Sequence, residues 1–99
     1  MKLDYDKSGQ LARLFKAFAD PTRLRLVAAL LEKERCVHEL AEDLELEQSA
    51  VSHQLRVLRD LDLATHRREG RHIYYSLDDD HVRDLFRIGL THLNHKGRG

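Results

Sequence analysis

Hydrophobic positions repeat with a helical period over the first two thirds of the chain. Leu11, Leu14, Phe15 and Phe18 follow i, i+3, i+4, i+7 spacing and predict a first amphipathic helix. Asp20-Pro21 ends it and opens the next, because Asp is a favoured N-cap and Pro fits the first helical position. Leu24, Val27, Leu30 and Leu31 carry the second helix. Glu32-Lys33-Glu34-Arg35 reads as a charged connector. Val37 to Leu44 predicts a short third helix with Leu40, Ala41 and Leu44 inward, and Glu45-Leu46-Glu47 a turn. A fourth helix is expected from about Gln48 to Leu61, with Val51, Leu55, Leu58 and Leu61 inward.

The period then changes. Leu63 to His66 and Ile73 to Leu77 predict two strands joined across Arg68-Glu69-Gly70-Arg71, with Gly70 supplying a positive φ. Ile73, Tyr75 and Leu77 alternate with His72, Tyr74 and Ser76, as in a half-buried strand. A last helix from about Asp79 to His95 carries Val82, Leu85, Phe86, Gly89, Leu90 and Leu93 on one face. The expected fold is mostly α with one β-hairpin: four helices, a hairpin and a terminal helix. A third and fourth helix joined by a short turn and followed by a hairpin is the winged helix-turn-helix order. Residues 1–99 form one domain, with a recognition region at about 36–61, a wing at about 63–77 and a terminal helix at about 79–95.

Net charge is zero, which by itself argues against a nucleic-acid partner. Its distribution reverses that impression. Pro21 to Glu47 holds four basic and seven acidic residues, whereas Gln48 to Leu77 holds five basic and three acidic ones. On the fourth helix Gln48, Ser49, Ser52, His53 and Arg56 form a polar stripe opposite the leucines. Short donors and acceptors near a helix N-terminus suit base edges in a major groove. Arg67, Arg68 and Arg71 on the wing suit phosphates or a minor groove. Solvated arginines are also common on hairpin tips, so the wing carries the reading only together with the helix. The expected partner is duplex DNA. The start of the chain has no apolar signal core and no run of about eighteen apolar residues occurs, so a cytoplasmic protein with no membrane partner is expected. A single cysteine, Cys36, excludes an internal disulfide.

Three stretches resemble the ArsR/SmtB family of metal-responsive repressors. They are Phe18-Ala19-Asp20-Pro21-Thr22-Arg23-Leu24-Arg25, Gln48-Ser49-Ala50-Val51-Ser52-His53-Gln54-Leu55-Arg56-Val57-Leu58 and Gly70-Arg71-His72-Ile73-Tyr74-Tyr75-Ser76-Leu77. Together they place the resemblance over roughly residues 8 to 95. It implies a homodimer joined through its first and last helices, an inverted-repeat operator in a metal-homeostasis operon, and release of DNA when metal binds.

The pattern Asp79-x-His81, ten residues, His92-x-x-His95 matches that family's interhelical zinc site. His92 and His95 share a helix face. His81 and His92, eleven residues apart, lie roughly 16 Å apart along the axis, too far for one ion whose bonds to nitrogen are about 2.0–2.1 Å. Two antiparallel copies would bring Asp79 and His81 of one helix to His92 and His95 of the other, giving two symmetric four-donor sites. Leu85 and Ile88 would pack between them. Such donors suit Zn(II) or Co(II), and Ni(II) overlaps in its preferences. The plainer reading makes Asp79 an N-cap and His92 and His95 companions of the helix dipole. The family's cysteine site is represented here only by Cys36-Val37-His38. Cys36 alone reads as a small semi-buried hydrophobe, with a Cys36–His38 auxiliary metal pair as the alternative. The rival functions are a same-fold repressor with another inducer or none, a dimerisation module without DNA, and, remotely, a zinc hydrolase. An enzyme would need an open coordination position, and four protein ligands leave none. No enzymatic activity is expected.

Overall fold

The computed structural model describes residues 1–77 and 80–96. The element order is α1 (Tyr5–Ala17), α2 (Pro21–Glu32), β1 (Arg35–Cys36), α3 (Val37–Leu44), α4 (Gln48–Asp60), β2 (Ala64–Glu69), β3 (His72–Leu77) and α5 (Asp80–Lys96).

Helix boundaries follow local chemistry. Asp4 caps α1 by accepting from the Lys7 N–H at 2.7 Å. Asp20 caps α2 by accepting from the Arg23 N–H at 2.9 Å, and Pro21 fills the first turn. Asp20→Ala is expected to cost about 1 kcal/mol, read from the midpoint of chemical unfolding. A shift of under about 0.3 kcal/mol would mean that Pro21 alone sets this boundary. Glu45 takes a left-handed φ of 57° after α3, and the Leu46 N–H reaches back to the Ala41 carbonyl at 2.9 Å. Asp62 repeats the device after α4 at φ 60°, with Leu63 N–H on the Leu58 carbonyl.

Leu26, Leu40, Val51, Leu55 and Leu58 are fully buried and join α2, α3 and α4 in one core, which Tyr75 of β3 and Val82 of α5 close. Three arginines tie helix ends to that core. Arg23 donates to the Ala17 and Lys16 carbonyls at the end of α1 and to Gln54 Oε1 on α4. Arg25 donates to the Leu44 carbonyl at the end of α3, and Arg83 of α5 to the Leu31 carbonyl of α2. Each places a cation at the negative end of a helix.

The structure corrects the sequence reading in two places. The connector before α3 contributes a strand. Arg35 and Cys36 pair antiparallel with Tyr75 and Tyr74, giving a three-stranded sheet in the order β1-β3-β2. The wing strands are longer than expected, because pairing runs from Ala64↔Leu77 to Glu69↔His72. The hairpin connection is therefore Gly70-Arg71 alone, and Gly70 takes φ 63° there. Within one chain the apolar stripe of α5 is buried only at its start. Val82 is enclosed and Leu85 and Phe86 are half-buried, but Ile88, Leu90 and Leu93 stand exposed.

Candidate nucleic-acid interface and metal-ligating residues

Helix α4 presents the polar stripe outward because its opposite face is locked down. Val51, Leu55 and Leu58 are fully buried, while Gln48, Ser49, His53 and Arg56 are exposed and Ser52 half-buried. Gln54, on the flank, accepts from Arg23 at 3.2 Å and fixes the rotation of α4 against α2. At the N-terminus of α4, Gln48 Nε2 lies 3.0 Å from His38 Nδ1, and His38 Nε2 lies 3.4 Å from Glu42. Gln48 is therefore held from α3, a contact between the two helices that the periodic pattern does not show.

Cys36 is buried and free. Its N–H donates to Glu39 Oε1 at 3.0 Å, which holds that carboxyl below its ordinary range. His38, the other member of the auxiliary pair, stands exposed with its ring against Gln48 and Glu42.

The three wing arginines, Arg67, Arg68 and Arg71, are all exposed, and they differ in their partners. Arg67 donates from Nε and Nη2 to both oxygens of Glu34, at 3.0 and 2.7 Å, and from Nη1 to Glu69 at 2.5 Å. Its guanidinium carbon lies 4.9 Å from the centre of the Tyr74 ring. Hydrogen bonding to Arg67 holds the Glu34 carboxyl below its ordinary range, and the two carboxylates raise Arg67 further above its own. Glu34 gave no signal in the sequence beyond membership of a charged connector, since its partner lies 33 residues away.

On α5, His92 and His95 border one groove of about 400 Å³ with Arg87, Ile88 and Thr91. His92 also borders a larger apolar groove of about 550 Å³, lined by Phe15, Phe18, Leu24, Leu85 and Leu90. His81 stands at the opposite end of α5, and Asp79 lies outside the described residues. Among the described residues of one chain, no three potential metal ligands converge. Among them, too, no helix is long and apolar enough to cross a membrane.

Two helices joined by a tight turn, the second with an exposed polar face, and a β-hairpin beside it define a winged helix-turn-helix regulator, a DNA-binding class without enzymatic activity. The chain belongs to the ArsR family: residues 20–66 match the bacterial regulatory protein, arsR family. It is 50% identical over 91 residues to a transcriptional repressor SmtB homolog from Synechocystis, covering 92% of this chain and 69% of that one. It is 42% identical over 83 residues to a cadmium resistance transcriptional regulatory protein CadC homolog from Staphylococcus aureus, covering 83% and 69%. The homodimeric winged helix-turn-helix DNA-binding domain Mb0332 from Mycobacterium bovis superposes with a TM-score of 0.83 at 28% identity, covering 97% and 93%.

Proposed function

We propose that this chain is a homodimeric repressor that leaves an inverted-repeat operator when Zn(II) or Co(II) joins its terminal helices. The observation that carries the reading is a coincidence on α5. The exposed apolar side chains Ile88, Leu90 and Leu93 and the imidazoles of His92 and His95 occupy the same stretch of helix. Whatever covers the apolar face also meets those donors. A second copy is the occupant supported by the homodimeric state of the Mb0332 domain. Metal responsiveness is supported by relatives such as the cadmium resistance regulator CadC homolog.

His92 and His95 of one chain, with Asp79 and His81 of the partner subunit, would hold the ion. Imidazole and carboxylate donors fit these metals and also Ni(II). When bound, the metal supplies a crosslink between the terminal helices and so favours one dimer geometry. Gln48, Ser49, Ser52 and His53 read base edges, and Arg56 with the unengaged wing arginines Arg68 and Arg71 sits on phosphate. A backbone packed around fully buried leucines carries the reading residues as a rigid unit, so a change in dimer geometry alters the spacing of two heads rather than their shape.

The test is operator binding by fluorescence anisotropy, on a labelled duplex from the promoter of its own operon. Zn(II), Co(II) and Ni(II) are each added to the native chain and to His92→Ala. The native chain is expected to bind without metal and to lose about 5- to 150-fold in affinity with zinc. His92→Ala is expected to bind DNA as the native chain does and to lose the response. A native chain indifferent to all three metals, or a variant that still responds fully, overturns the metal reading.

A further inference from the structure

We propose that Arg67 and Glu34 form a strap that sets the angle of the wing against the reading head, making both positioning residues for DNA binding. The inference rests on the DNA-binding reading above and reassigns Arg67 from phosphate contact to wing placement.

The geometry is a row across the sheet. Arg67 on β2 faces Tyr74 on β3, and Tyr74 faces Cys36 on β1. Glu34 lies two residues before Cys36, and Glu69 two residues after Arg67. Residues two apart on a strand share a face. The Arg67 side chain therefore crosses the central strand over the Tyr74 ring and reaches the segment leading into β1, where it grips both oxygens of Glu34. Bidentate pairing fixes direction as well as distance. Glu69 holds the remaining nitrogen from the wing side.

The wing needs such a device. All of β2 beyond Ala64 is exposed, and a two-stranded hairpin is marginal by itself. At its root it is seated on the core by Ala64 and Tyr75 and pairs with the two-residue strand β1, which leaves its outer part without support from the helices. Glu34 sits between α2 and β1, so the strap ties the outer strand directly to the segment that leads to the reading helices.

A strap and a phosphate ligand at Arg67 respond to loss of the Glu34 charge with opposite signs. If Arg67 were a phosphate ligand, Glu34 would compete with DNA, and Glu34→Gln would tighten binding. As a strap, Glu34→Gln is expected to weaken binding to the promoter duplex about three- to fivefold, although net charge rises by one, with the salt slope unchanged. Arg68→Ala, by contrast, is expected to reduce the salt slope by about 1. A readout without DNA separates this from the function: Glu34→Gln is expected to speed amide hydrogen exchange in residues 64–77 with no change in the unfolding midpoint. Tighter or unchanged binding by Glu34→Gln overturns the strap, as does unchanged wing exchange. If the native chain fails to bind the duplex while wing exchange still responds, the strap stands and the DNA reading falls.

Discussion

Leu55→Ala is expected to destabilise the domain by about 2–5 kcal/mol, the range for truncating a fully buried leucine. Leu55 has no accessible surface, and with Val51 and Leu58 it forms the face of α4 turned toward α2 and α3. Truncation removes apolar contact and leaves a cavity that three tethered elements cannot close. Arg23 fixes α4 to α2 through Gln54, and Arg25 fixes the end of α3. Domains of this size are stable by only about 5–15 kcal/mol, so one such change takes a large share. His53→Ala, on the exposed face of the same helix, is expected to move stability by less than about 0.5 kcal/mol. Urea unfolding of both variants at one protein concentration is the measurement. A loss below about 1 kcal/mol for Leu55→Ala would mean that α4 is not seated on the core as described.

That contrast within one helix was legible from the sequence, because core and reading positions on α4 are set by a single 3.6-residue period. The α2 start was legible for a similarly local reason, since Asp20 and Pro21 act within one turn. What escaped depends on partners far along the chain. Arg35 and Cys36 become a strand only because Tyr74 and Tyr75 present free edge groups to them. Arg67, Arg68 and Glu69 join β2 through pairing with β3, and being exposed on both faces they carry no alternation. The same distance hid the Arg67–Glu34 pair. On α5 the apolar stripe was visible in the pattern, yet a pattern cannot say whether its own chain covers it. The spacing of His81, His92 and His95 was equally visible, and the fold shows that one chain leaves them at two ends of a helix.

Covalent order therefore sets the reading head, while in the proposed dimer the exposed face of α1 and α5 would set how two heads are spaced. The largest effect on DNA binding is accordingly expected far from α4. Ile88→Asp should leave the fold of one chain intact, because Ile88 is 66% exposed and supports no part of the core. In a dimer joined through Phe15, Ile88, Leu90 and Leu93, the same carboxylate would enter an apolar contact without a partner, at a cost of several kcal/mol per chain. Two-fold symmetry places the charge on both sides of the interface. The expected result in sedimentation is a species near 11.6 kDa, the mass of one chain, with an unchanged far-ultraviolet circular dichroism spectrum. Operator affinity is expected to fall by about 100-fold or more, because two linked heads act at high effective concentration and separated ones do not. Zinc should no longer alter what DNA binding remains, since the donors of two chains no longer meet. A variant that stays dimeric with native operator affinity would place the interface elsewhere and remove the basis for coupling through α5.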